Sequence, residues 1–410
     1  MNFAVNVAPI QRRLSNGLYI SIFPEPHFHH TFVSWSVSYG SIQDAALPGR
    51  AHFLEHMMFY NPDEQPVKSL LHALGASTSA LTRYDVTTYQ MACTGQLKQS
   101  MELFMRMLAT PYFTPIHIEK ERAAIHQELS MYEDQPSWRA LQQLTQMMYG
   151  NNHPIISDVA GTPDSLYQMT PDELNIAYND YYSTENMAVA VAGPVEPEAV
   201  IEILEQFPMK ERGRASLYGT VPWARRDERG EESSDRYLEL ECGLPLSLVR
   251  FGFRAESGMG LKDQIACVLG IEALLGETSD FHAECIQLGL LSKGAAWDHY
   301  YRQKFAFSNT CGYSTDPASL YTRIEEQCHR IQDSVISLNN LEVARLTWLS
   351  RYYTDMDSLK QRCMNVSEHK VIGLDYMQIG MYVSELTEEE IISGLRKVAT
   401  PAHLRMVVLR

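Results

Sequence analysis

The chain has few cysteines, and they form no pattern. The seven stand at 93, 242, 267, 285, 311, 328 and 363, odd in number and without a C-x-x-C pair. That argues against a disulfide framework and a cysteine-based zinc site, and it points to a reducing, cytoplasmic compartment. No run of about 18 uncharged apolar residues occurs, so no membrane span is expected. The opening MNFAVNVAPIQRRLSNG lacks the basic-then-apolar order of a secretory signal. Basic residues are outnumbered by acidic ones, 34 against 50, for a formal charge of −16. This argues against a nucleic-acid binder and against a protein held on anionic lipid by charge. Serines are plentiful, yet no G-x-S-x-G is present to suggest a serine hydrolase.

What is present suits a globular protein of two domains. The 410 residues are 45% hydrophobic and 20% charged, too long for one ordinary core and enough for two of about 200 residues. Leu18–Phe23 and Thr31–Ser38 have the β-branched and aromatic enrichment of strands. The second alternates in a way that suggests one buried face. Helices are expected around His52–Phe59, Pro66–Leu74, Gln96–Ala109 and Pro115–Tyr132, with a strand or hairpin over Ala80–Cys93 and a strand over Asn186–Ala192. Met209–Asp235 is charged and poor in aliphatic residues, and reads as a solvated linker. The expected domains are therefore 1–208 and 236–410, joined by a linker at 209–235, with Leu248–Phe253 an early strand of the second.

The two halves end alike. Thr170–Ala192 and Thr387–Leu409 each open with a threonine and acidic residues, a plausible N-cap and first helical turn. Each continues through a helix-length stretch and a threonine-containing turn into an apolar strand. A repeat this long points to duplication of one α+β domain.

The chemistry concentrates in Ala51-His52-Phe53-Leu54-Glu55-His56-Met57-Met58-Phe59. On a helix, His52 and His56 lie one turn apart on the same face with Glu55 beside them. Two imidazoles so placed can grip one tetrahedral zinc ion. A carboxylate next to the metal can take a proton from the water that the metal acidifies. The residue frequencies would give H-x-x-E-H by chance about 0.04 times in such a chain. The plainer reading is a helix whose histidines are half-buried or paired with Glu55. A hydrolytic zinc also needs a third protein ligand. Glu121 and Glu128 stand two turns apart on one side of an expected helix, so one can ligate while the other supports it. Glutamates at this spacing are more often a solvated helix face, and spacing alone leaves His126 as a competing ligand. His27-Phe-His-His30 follows Pro24 and Pro26 and reads as a solvated turn and not as a metal tract.

GRAHFLEHMMF followed by EKERAAIHQELSMYEDQP resembles the M16 family of zinc peptidases, the pitrilysin-like inverzincins. The likeness extends to LSNGLYISIFPEP near the start, the strand ending in Gly40-Ser41 and the strand before Gly193-Pro194. It is nearest to the short bacterial two-domain members that resemble processing-peptidase subunits. The resemblance implies two homologous α+β domains, each a mostly antiparallel sheet packed with helices, together forming half of a clamshell. It implies one Zn2+ per chain held by His52, His56 and Glu128, with Glu55 as general base, Glu121 behind the ligands and His126 a bystander. It further implies that Ser79, Ala80, Leu81 and Thr82 line the substrate on a strand. Ser79 stands where the family usually has asparagine, and serine offers fewer hydrogen bonds. Many active members also carry an arginine and a tyrosine seven residues apart in the second half. The matching positions here are Cys285 and Ser292, which replace neither a cation nor a phenol. Tyr300, Tyr301 and Arg302 lie a little downstream and could compensate only if the local alignment shifts.

These readings converge on a zinc-dependent endopeptidase that hydrolyses peptides or unfolded segments in a closed chamber. Peptide turnover and maturation of a ribosomally made precursor both suit it. The alternative is a non-catalytic M16-like subunit that binds a partner or substrate, a role disfavoured because the metal motif is complete. The missing arginine and tyrosine favour a dimer, with a second copy or with a paralogue lacking H-x-x-E-H.

Overall fold

The computed structural model describes residues 9–44, 46–62, 65–207, 234–333 and 338–410. The expected linker, 209–235, lies outside them but for its last two residues. Along the first half run β1 (Ile10–Arg13), β2 (Tyr19–Pro24), β3 (Thr31–Val37), α1 (Arg50–Met57), α2 (Val67–Ala73), β4 (Ala76–Thr82), β5 (Thr87–Cys93), α3 (Leu97–Ala109) and α4 (Pro115–Glu133). There follow α5 (Pro136–Tyr149), α6 (Pro163–Tyr167), α7 (Pro171–Tyr181), β6 (Met187–Gly193) and α8 (Pro197–Glu205). The second half contributes β7 (Tyr237–Leu240), β8 (Ser247–Arg254), α9 (Leu261–Leu275), α10 (Asp280–Gln287), β9 (Trp297–Tyr301) and β10 (Ala306–Ser314). It closes with α11 (Pro317–Asp333), α12 (Leu338–Asp357), α13 (Leu359–Val371), α14 (Ile379–Glu385), α15 (Glu388–Val398) and β11 (Leu404–Leu409).

The strands form two sheets, ordered β1-β2-β6-β3-β5-β4 and β7-β11-β8-β10-β9. Each has one parallel pair, β2 with β6 and β11 with β7, and is otherwise antiparallel. The expected repeat at the two ends appears as α7–β6 and α15–β11. Thr170 and Thr387 both cap their helices, each side chain accepting a hydrogen bond from the backbone N–H three residues on. At Thr387 the Glu390 side chain reaches back to complete a capping box.

The compact units do not follow the chain. One combines Met1–Ser130, Ser157–Arg226 and Asp355–Tyr376, and the other Met131–Ile156, Asp227–Thr354 and Met377–Arg410. Each half of the sequence thus lends a helical segment to the other half's sheet, whereas the spans 1–208 and 236–410 are contiguous. In the first unit α13 lies on β3 and β6. In the second α5 lies on β8 and β11.

This exchange corrects the reading of β3 as a strand with one buried face, because all seven of its residues are buried. Trp35 enters an aromatic cluster, 4.5 Å from Phe207 and 6.5 Å from Phe104 between ring centroids. On the opposite face Ser34 and Ser36 meet Ser367 of α13, with hydroxyl oxygens 2.9 and 2.8 Å apart. Short polar side chains let a helix approach a sheet closely, and the hydroxyls satisfy one another away from water. The alternation of β3 was therefore real, but its polar positions face a polar helix and not solvent.

In the second unit α5 ends in a buried Tyr149. Its hydroxyl donates to Ala306 O at 2.7 Å and accepts from Ala306 N at 2.9 Å. His153, just beyond, is also buried. Burial and then the nearby charge of Arg254 push its imidazole down to about 4. Because the folded state resists this proton, the unfolded chain gains it first as pH falls below the ordinary histidine value near 6.5. Stability is therefore expected to fall between pH 6.5 and about 4. Urea midpoints across that window should show the loss, and His153→Gln should reduce its slope by at most about 1.4 kcal/mol per pH unit. An unchanged profile in the variant would refute the assignment.

Candidate metal centre

The site is built on α1, and the backbone before that helix fixes where it starts. Gly49 holds φ 85° as its N-cap, a conformation that costs a side-chain-bearing residue about 1–2 kcal/mol. A Cβ there would also lie 2.6 Å from Ala160 O, so glycine is needed for space as well as for conformation. Asp44, fully buried, accepts from Ala51 N–H and from the Tyr39 hydroxyl, both at 2.5 Å, and lies 3.4 Å from Arg50 Nε. It therefore satisfies one of the donors that a helix leaves unpaired at its start. Burial pushes its carboxyl up to about 7, against the pull of Tyr39, Arg50 and Ala51. Arg50 reaches on to Glu173 of α7 at 3.1 Å, which ties the start of the motif helix to its neighbour.

From this helix His52, Glu55 and His56 project together. The expected helix, His52–Phe59, begins two residues earlier and ends two residues earlier. The imidazoles of His52 and His56 lie 4.7 Å apart between centroids, at 73° to each other. Their Nε2 atoms are each 3.7 Å from the same oxygen of Glu128, Oε2, which α4 delivers. One donor atom from each of these three residues lies within 4.8 Å of the others, the one such group found among the described residues. His126, exposed on the same helix, stands outside it.

Glu121 stands behind the group. Its Oε2 is 2.9 Å from His56 Nδ1, and its Oε1 accepts from the Tyr60 hydroxyl at 2.5 Å. Burial works to raise the Glu121 carboxyl, but the hydrogen bonds to His56 and Tyr60 outweigh it and hold it below the usual value. Tyr60 was not singled out in the sequence. It follows the motif closely, and its phenol, pushed up by burial and by Glu121, stays a donor.

Glu55 is buried, 7% exposed. Burial raises its carboxyl above the ordinary value, opposed by His56 and by the Thr82 hydroxyl, which donates to Oε2 at 2.8 Å. Thr82 ends β4, the edge strand of its sheet. Ser79 is exposed along that strand, while Ala80 and Leu81 are half-buried. The Ser79–Leu81 stretch thus lies on an edge that pairs with β5 on one side, and Thr82 turns onto Glu55. A cavity of about 200 Å³ opens beside Glu55 and His56, with the Lys68 ammonium 4.3 Å from the Phe59 ring centroid at its border.

A contact from far along the chain steadies this hairpin. Glu368 of α13 accepts from Thr88 at 3.0 Å and lies 3.4 Å from Arg83 Nε. Arg83 directly follows Thr82, so the exchanged helix braces the strand end that touches Glu55. No local pattern marks Glu368 in the sequence.

The donor set fits zinc. With bonds of about 2.0–2.2 Å the edge of a tetrahedral site is about 3.4 Å, close to the spacings between Glu128 and the two imidazoles. His52 Nδ1 is buried without a hydrogen-bond partner among the described residues, and burial, then the charge of His56, pushes this imidazole down to about 3. A neutral imidazole is the form that ligates.

In the second unit, Cys285 is fully buried in α10, and Ser292 Oγ accepts from Tyr313 N at 3.0 Å. Tyr301 is buried and bonded to Ser308, and Tyr300 stacks on Phe307 at 4.8 Å. Tyr301 therefore cannot stand in for the expected phenol, because its hydroxyl is enclosed.

Known proteins resemble the chain along most of its length. The family described as "Insulinase (Peptidase family M16)" matches residues 26–158, and "Peptidase M16 inactive domain" matches residues 168–346. The "Uncharacterized zinc protease YmfH" of Bacillus subtilis is 26% identical over 397 residues, covering 92% of this chain and 91% of that protein. Among solved structures, a putative M16-like peptidase from Alicyclobacillus acidocaldarius superposes with a TM-score of 0.90 at 23% identity, covering 100% of this chain and 99% of its own. The periplasmic protease PqqL from Escherichia coli matches with a TM-score of 0.73 at 18% identity, covering 98% of this chain and 47% of its own. With an M16 domain in each half and a zinc-protease relative along nearly its full length, the chain belongs to peptidase family M16.

Proposed function

We propose that the chain is a zinc-dependent endopeptidase acting on peptides or unfolded segments, with one Zn2+ held by His52, His56 and Glu128. The observation that carries this is the convergence of two Nε2 atoms on one Glu128 oxygen with the buried Glu55 alongside. Zinc bound there supplies a Lewis acid, which acidifies water and polarises a carbonyl. The chain's own residues do the rest. Glu55, raised by its burial, accepts a proton from the attacking water and passes it to the leaving amine. Thr82 fixes the orientation of the Glu55 carboxylate, and Glu121 fixes that of His56. An extended peptide pairs with the β4 edge along Ser79–Leu81, since that edge recognises backbone and tolerates varied sequence.

The same reading includes a partner, a second copy or a paralogue without H-x-x-E-H. It is supported by the absence of an arginine and a tyrosine at positions 285 and 292. Processing of a ribosomally made precursor belongs to this proposal, as does a cytoplasmic site of action, which rests on the composition.

The test is metal content and peptide cleavage on the purified chain. Zinc near one equivalent is expected, with cleavage of an unstructured peptide abolished by chelation, restored by zinc and raised by the paralogue. Cleavage that persists after zinc removal would refute the peptidase reading. Full activity of an isolated monomer would refute the partner.

A further inference from the structure

The second unit has an open cavity of about 600 Å³ at one end of its sheet, where β8 ends and β10 begins. Arg254, Lys304, Lys397 and His403 line it, and Glu256 is the one acidic residue among the described residues that do so. This balance runs against the composition of the chain, in which acids outnumber bases 50 to 34. Basic side chains from the end of β8, the β9–β10 connection and the end of α15 therefore converge on one concave space.

The platform beneath them is rigid. Arg254 Nη1 donates to Met148 O at 2.8 Å, and its guanidinium lies 4.7 Å from the Tyr149 ring centroid. Tyr149 is itself fixed by its two hydrogen bonds to Ala306. An arginine held by stacking loses little freedom on meeting a ligand, and its planar fork matches the oxygens of phosphate and carboxylate. Lys397 has a plainer role as well, since a cation in the last turn of α15 suits the helix dipole. Lys304 lies in the β9–β10 connection. The volume is that of a small-molecule site, which typically holds about 300–1,000 Å³.

We infer that this cavity binds a small anion bearing a phosphate or a pair of carboxylates, held by Arg254, Lys304 and Lys397. It shares no residue with the metal centre and does not depend on the peptidase reading.

The test is calorimetric titration of the zinc-loaded chain with inorganic phosphate, AMP and glutarate. Saturable binding of AMP above phosphate identifies a phosphomonoester site, and preferential binding of glutarate identifies a dicarboxylate site. In either case Arg254→Gln and Lys304→Gln should each weaken binding about tenfold or more. Glu256→Gln should tighten it, higher salt should loosen it, and zinc content should not move in any variant. No binding of any probe up to about 10 mM would overturn the inference. So would affinities unchanged in Lys304→Gln, a half-buried loop residue whose replacement leaves the arginine platform intact.

Discussion

Glu55→Gln is expected to lower the rate of peptide hydrolysis by about 10²–10⁴-fold, the usual contribution of a positioned general base, while zinc content stays at the wild-type level. Glutamine has nearly the shape of glutamate, and its amide oxygen still accepts from the Thr82 hydroxyl that now meets Oε2 at 2.8 Å. What it cannot do is take a proton. Metal binding should survive because the three converging donor atoms belong to His52, His56 and Glu128. Burial also favours the variant, since a neutral amide at a site 7% exposed costs less to desolvate than a carboxylate. Lost activity would thus reflect missing chemistry in an intact fold. A zinc-loaded Glu55→Gln protein that cleaves at the wild-type rate would remove Glu55 from the mechanism.

Glu121→Gln should weaken zinc affinity about 10–100-fold, the usual effect of removing an outer hydrogen-bond partner of a ligand. Glu121 fixes the His56 ring from behind through Nδ1, so that Nε2 faces Glu128. Its charge also raises the electron density of the imidazole, which a neutral amide does less well. Tyr60, which donates to the other oxygen at 2.5 Å, holds the carboxylate in place, so Tyr60→Phe should move affinity in the same direction by less. Competition with a chromogenic chelator measures both. Affinity unchanged in Glu121→Gln would mean that the His56–Glu121 contact serves the fold alone.

The candidate metal site was legible in the sequence where its geometry is helical. H-x-x-E-H needs one turn of α1, and Glu121 and Glu128 need two turns of α4, so regular spacing carries them to common faces. What spacing could not give was the choice between Glu128 and His126, which depends on how α4 is rotated against α1. Family resemblance pointed to Glu128 before the fold placed it beside the histidines. Asp44, Thr82 and Glu368 were harder. Thr82 was read as lining the substrate, and no sequence pattern marked the bond of its hydroxyl to Glu55. Glu368 reaches Thr88 across 280 positions of sequence, beyond any local periodicity. The same holds for β3, whose serines look solvent-facing until a helix from the other half is laid over them.

That exchange of helices bears on how the protein is made. The sheet of the first unit is fully synthesised once Gly193 leaves the ribosome, but the helix that covers Ser34 and Ser36 ends only at Val371. Until then β3 and β6 lack the helix that covers them in the folded chain. A nascent chain stalled in mid-message would carry every proposed zinc-binding side chain and still lack the cover of its own sheet. The two halves are thus expected to mature as one cooperative event late in translation, not one after the other.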